Sequence, residues 1–208
     1  EIRVELSARG AEPERKEELD RMAERARALI GPAVFTDDAG RSLAQVVGEL
    51  LREQGRTLAT AESCTGGMVA ARITDVPGSS DYFLGALVVY SNRAKRELAG
   101  VDRELLEEQG AVSEPVSRAL ARGAREALGA DYGIGITGIA GPGGGSEEKP
   151  VGLVHLGLAG PDGGETQVRV QFPGDRERVR RYTTRMALEM LRRALLELPV
   201  GNPRDPRE

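Results

Sequence analysis

Between residues 57 and 137 the chain alternates short apolar runs with longer stretches whose apolar positions recur every three or four residues. That alternation leaves little choice of architecture. A strand followed by a covering helix brings the chain back to start a parallel neighbour, so the strands form one sheet and the helices cover its faces. Residues 57–61, 84–91 and 132–137 read as strands, the last two apolar enough to be covered on both faces. Helices are expected at 65–74, 93–99 and 102–109, and from an N-cap at Ser113 to a stop at Gly129. Residues 151–159 and 166–172 flank Pro161-Asp162-Gly163-Gly164, the turn signal of an antiparallel hairpin. An amphipathic helix through Leu43, Val46, Val47, Leu50 and Leu51 opens this unit, and a long helix over 175–198 closes it before Pro199. The expected fold is α/β, a three-layer α/β/α sandwich with a mixed, mostly parallel sheet over residues 41–198.

Residues 1–40 read differently. Ile2, Val4 and Leu6 alternate with charged residues as in a half-buried strand, Pro13 opens a charged helix that Gly31 and Pro32 stop, and 33–36 suits another short strand. This small α+β segment is too small to hold a core and is expected to be the end of a module of a longer protein. Residues 199–208 read as a disordered tail.

Composition excludes several classes. There is no Trp, and only three Phe and four Tyr, so Leu, Val, Ile and Ala must fill the core. Acidic and basic residues nearly balance at a net charge of −4, which argues against a general binder of nucleic acid or anionic membrane. A single cysteine excludes an internal disulfide, and no apolar run reaches membrane-spanning length, as expected of a soluble protein of the reducing cytoplasm. With one histidine, metal sites built on several His or Cys are excluded and a Ser-His-Asp triad is disfavoured. No metal and no cofactor are expected.

The stretch ATAESCTGG, residues 59–67, carries the chemistry. A strand runs straight into a glycine-opened helix, with Ser63, Cys64 and Thr65 just before Gly66 and Gly67. A helix N-terminus carries roughly half a positive charge and suits a phosphate, a carboxylate or the oxyanion of acyl transfer. A second glycine loop, 137–145, also follows an apolar strand, where open α/β sheets bind ligands. Neither loop fits a dinucleotide fingerprint or a Walker loop. His155 lies in an apolar strand and reads as a packed residue, so a serine here needs another base, for which a desolvated lysine serves. Of Lys16, Lys95 and Lys149, Lys95 falls in the first turn of a helix after a strand, where it can turn back over the ligand edge. Lys149 precedes Pro150 in a loop open to an anionic substrate. Glu62 as the base and Cys64 as the nucleophile are the competing assignments.

AESCTGG (61–67), VVYSNRAK (88–95), GAVSEPV (110–116), TGIAGPGGG (137–145), KPVGLV (149–154) and FPGDRERVR (172–180) together closely resemble the CinA C-terminal domain family, over about residues 43–198. Characterised members of that family are nicotinamide mononucleotide deamidases. The resemblance therefore implies metal-free hydrolysis of the carboxamide of nicotinamide mononucleotide to nicotinic acid mononucleotide and ammonia, in pyridine-nucleotide salvage, by a homo-oligomer of at least two chains. It casts Ser63 as nucleophile and Lys95 as general base. Tyr90 and Thr137, at strand ends, are candidates to relay protons or orient the amide. Glu62, Cys64, Thr65, Gly66 and Gly67 would line the substrate, the Cys64, Thr65 and Gly66 amides facing the oxyanion. Gly138, Gly141, Gly143, Gly144, Ser146, Lys149 and Arg176 are the candidates for the phosphate side, Arg176 for its own site or a neighbouring subunit's. Residues 1–40 resemble the end of the KH-like linking module of longer CinA proteins, without its GXXG loop. The alternative is a non-catalytic module of a competence- or damage-related protein that binds nucleotide or nucleic acid or drives oligomerisation. Few aromatics and no Lys/Arg tract weigh against nucleic acid.

Overall fold

The computed structural model describes residues 2–201. Helix α1 (Glu14–Ile30) is followed by α2 (Leu43–Glu53), β1 (Leu58–Glu62), α3 (Met68–Thr74), β2 (Phe83–Val88), α4 (Asn92–Ala99), α5 (Arg103–Gln109), α6 (Glu114–Leu128), β3 (Tyr132–Gly138), β4 (Leu153–Ala159), β5 (Glu165–Gln171) and α7 (Arg176–Leu195). The five strands form one mixed sheet in the order β2-β1-β3-β4-β5. Pairing is parallel through β2, β1 and β3 and antiparallel through β3, β4 and β5.

Strand alternation sorts the side chains into two cores, one on each face. Leu58, Ile134, Ile136, Val154, Leu156, Val168 and Val170 pack with residues of α2, α3 and α7. Ala59 and Ala61 pack on the other face with α4, α5 and α6. There Gly133, Gly135 and Gly157 leave no room for a side chain, because the backbone of α6 lies directly on them. Small residues thus draw α6 close to the sheet centre, and large ones fill the α7 side. The α2 start is fixed by a capping box between Ser42 and Gln45.

Three expectations are corrected. Ile2, Val4 and Leu6 form no strand and lie exposed, because no neighbouring strand offers them a ladder, and 33–36 runs from a short 3-10 turn into irregular chain. The N-terminal segment is helical instead, and α1 has no buried residue. Second, β2 is an edge strand, with Leu84 and Val88 exposed, so it is not covered on both faces. An apolar run alone does not distinguish an edge from a centre. Third, α7 ends at Leu195. Of the tail, residues 202–208 lie outside the described residues.

Candidate active site

Ser63 follows the last residue of β1 and continues its ladder, donating its N–H to the Ile136 carbonyl at 3.1 Å. By alternation it shares a face with Ala59 and Ala61, and so looks toward α4. Helix α4 begins at the N-cap Ser91, whose hydroxyl accepts from the Ala94 amide at 3.1 Å. That start sets Lys95 on the inner side of the first turn. Its Nζ donates to Ser63 Oγ at 3.1 Å and to the Val89 carbonyl at 3.1 Å. The ends of β1 and β2 are tied together by the Val89 N–H, which donates to the Glu62 carbonyl at 2.8 Å. Lys95 is only 2% exposed, and no carboxylate pairs with it among the described residues. Burial lowers its pKa below the ordinary lysine value. A lysine so placed is ready to hold a neutral amine against a serine hydroxyl.

Glu62, the neighbour of Ser63, points the opposite way. Its buried carboxylate accepts the amides of Gly67 at 2.9 Å, Val69 at 3.1 Å and Ala70 at 2.9 Å. The first turn of α3 is therefore already occupied by the protein's own anion. This corrects one expectation, that the free helix N–H groups face a ligand, and it places the Glu62 carboxylate on the face of the sheet opposite Ser63. It also explains why α3 starts at Met68 rather than Thr65. Gly66 and Gly67, at φ of 60° and 93°, turn the chain through left-handed conformations so that those amides can reach the carboxylate.

Within the turn, Gly66 N–H closes on the Ser63 carbonyl at 3.1 Å. The Thr65 amide has no such partner among the described residues, and the Cys64 amide faces its own side-chain sulfur. Their carbonyls are held from α7 by Arg180, whose Nε donates to Cys64 O at 3.1 Å and whose Nη2 donates to Thr65 O at 2.8 Å. Arg180 was not singled out from the sequence, where it reads as one more charge on a helix; its place in the motif FPGDRERVR was the one available signal. The Thr65 hydroxyl is fully buried with no partner. Burial pushes the Cys64 thiol up to about 12, which keeps it protonated and disfavours it as nucleophile.

The remaining sequence candidates fall into separate groups. Arg176 donates to the Tyr90 hydroxyl at 2.9 Å and to the Gly141 carbonyl at 3.0 Å, joining the ends of β2, the glycine loop and α7. Thr137 is buried beside Ser63 in register, and its hydroxyl donates to the Ala111 carbonyl at 2.6 Å. Gly138 packs against Val154 and Leu153, where a side chain would collide, and this accounts for the glycine without a ligand. Gly143 and Gly144 lie exposed in the loop. Ser146 accepts the Lys149 amide at 3.1 Å, while Lys149 Nζ donates to the Gln109 carbonyl at 2.9 Å. Lys149 thereby lines a different cleft, of about 370 Å³, with His155, Glu114 and Arg169. His155 is packed in β4 as expected, accepting from Gln167 at Nδ1 over 3.0 Å. Burial first, and Arg169 second, lower its pKa to about 4, so it is neutral at ordinary pH. Among the described residues no cluster of His, Cys, Asp or Glu suits a metal ion, and no helix is long and apolar enough to cross a membrane.

A family model described as the CinA C-terminal domain matches residues 40–195. The chain is 53% identical over 181 residues to a CinA-like protein of Geotalea daltonii, covering 86% of this chain and 43% of that one. It is 50% identical over 199 residues to a CinA-like protein of Synechocystis sp., covering 94% and 47%. The chain spans about half the length of the curated relatives it matches. Among solved structures, the competence/damage inducible protein CihA of Agrobacterium tumefaciens superposes with a TM-score of 0.72 at 42% identity, covering 74% of this chain and 93% of that one.

Proposed function

The chain belongs to the CinA C-terminal domain family, and on that premise we propose that it hydrolyses the carboxamide of nicotinamide mononucleotide through an acyl-enzyme on Ser63. The observation that carries this reading is the buried hydrogen bond between Lys95 Nζ and Ser63 Oγ, 3.1 Å long, with no carboxylate among the described residues to hold the lysine charged. Neutral Lys95 accepts the Ser63 proton as Oγ bonds to the amide carbon. Negative charge then collects on the carbonyl oxygen, and the uncommitted amide of Thr65 is the first donor for it, with the Cys64 amide beside it, a donor in such a role being worth ~3 kcal/mol. Lys95 returns the proton to the nitrogen as the C–N bond breaks and ammonia leaves. Water, deprotonated by the same amine, cleaves the ester and frees the acid product and the serine.

For the substrate's phosphate, the cationic Arg176 beside the Gly141 loop fits best, since Lys149 is drawn into the other cleft. The homo-oligomer implied by the resemblance belongs to the same proposal. The open edge of β2, with Leu84 and Val88 exposed, is the surface a second copy would cover, and a monomer by sedimentation at micromolar concentration would sink it.

The test is ammonia release from nicotinamide mononucleotide by the parent beside Ser63→Ala, Lys95→Ala and Cys64→Ala, each checked for folding. The parent and Cys64→Ala are expected to be active, with a loss of about a thousandfold or more in the first two variants. A parent that releases no ammonia rejects this substrate.

A further inference from the structure

Arg180 binds the backbone of the nucleophile turn directly, on the side away from Lys95. It approaches from α7, whose Val179, Ala187 and Leu191 pack on the α2/α3 face of the sheet. Its two bonds fall on successive carbonyls, Cys64 O and Thr65 O. In a planar trans peptide the carbonyl of one residue and the N–H of the next point in opposite directions. Holding Thr65 O therefore turns the Gly66 N–H back into the turn, where it meets Ser63 O at 3.1 Å. Holding Cys64 O turns the Thr65 N–H away from α7, toward the face on which Ser63 and Lys95 lie.

We propose that Arg180 is a positioning residue for the oxyanion: by clamping the Cys64 and Thr65 carbonyls from behind the sheet, it aims the free Thr65 N–H at the carbonyl oxygen of the group that Ser63 attacks. The inference rests on the reading of Ser63 as the nucleophile of an acyl transfer. Glu62 completes the clamp from the same face, holding the amides of Gly67, Val69 and Ala70 while Arg180 holds the carbonyls before them. The turn is thus fixed from one face by an anion and a cation of the protein, and its other face is left for the reacting group. A guanidinium suits this role because its planar fork reaches two carbonyls at once, which a lysine ammonium does not do in fixed geometry.

The experiment follows phosphonylation of Ser63 by a small alkyl fluorophosphonate, in which the Oγ–P bond forms, fluoride leaves and the hydroxyl proton passes to Lys95. The charged phosphoryl oxygen takes the place of the carbonyl oxygen, and no knowledge of the natural substrate is needed. Arg180→Ala and Arg180→Lys are compared with the parent by mass spectrometry of the labelled peptide, over a range of pH and with added guanidinium ion. The expected result is labelling slowed about 10- to 100-fold in both, with the pH at half-maximal rate unchanged and partial recovery of Arg180→Ala by guanidinium at concentrations that leave its thermal midpoint in place. Labelling of Arg180→Ala at the parent rate overturns the inference. So does a slowed rate accompanied by a shifted pH profile and no rescue, since Arg180 would then act through Lys95 or through folding alone. A parent that labels at Ser63 but releases no ammonia from nicotinamide mononucleotide keeps this inference and rejects the substrate; a parent unlabelled at Ser63 rejects the inference.

Discussion

Two adjacent residues of one strand end, Glu62 and Ser63, serve opposite faces of the sheet, and this single alternation organises the site. Glu62 goes to the α3 face and fixes the turn; Ser63 goes to the α4 face and meets Lys95. At this scale the account predicts a pH dependence. Burial lowers the pKa of Lys95, so the base is neutral from a pH below the ordinary lysine range upward and is lost as pH falls through its folded pKa. The rate constant kcat/KM is expected to rise with unit slope on the acid side and to level off at a pH below the ordinary lysine pKa. An acid limb near pH ~4, in the carboxylate range, would move the base to another group. The pairing of Ser63 with Lys95 was legible because both sit at strand-to-helix junctions, where position restricts direction. The roles of Glu62 and Arg180 were not legible. A glutamate beside a serine gives no sign of which face it takes until the strand register is known, and a helix arginine gives no sign of what its long side chain reaches.

At the scale of elements, the β1–α3 junction is the most specific piece of the fold. Its glycines read as a close-approach turn, and the group that the backbone approaches in the structure is the Glu62 carboxylate. Glu62→Gln replaces one acceptor oxygen by an NH₂ group facing amide donors. Urea unfolding is expected to show a loss of roughly 2 kcal/mol or more, with an unchanged slope. An unaltered midpoint would mean that the three amides find other partners and that Glu62 is not the cap of α3. Elements with their own punctuation read well: Ser113 as a helix start, Gly129 as a stop, and the hairpin at Pro161 to Gly164, whereas Ser91, taken with the strand, is the N-cap of α4. Ile2 to Leu6 and the edge position of β2 were misread because alternation and apolarity describe a side-chain pattern, whereas strand pairing depends on which other strand is available.

At the scale of the whole molecule, the layers follow from where small and large side chains fall. Glycines on β3 and β4 admit α6 against one face, while leucines, valines and isoleucines support α2, α3 and α7 on the other. The two faces meet chemically only at the strand ends, where α4 delivers Lys95 and α7 delivers Arg180 to opposite sides of the same short turn. The measurement that tests this account most directly is the mass of the enzyme in a reaction with nicotinamide mononucleotide stopped by acid within milliseconds, followed by mapping of the modified peptide. A nicotinoyl-nucleotide ester is expected on Ser63, formed by the parent and by Cys64→Ala and absent from Lys95→Ala. An adduct on Cys64, or turnover with ammonia release but no covalent species on Ser63 under any quench time, would contradict it.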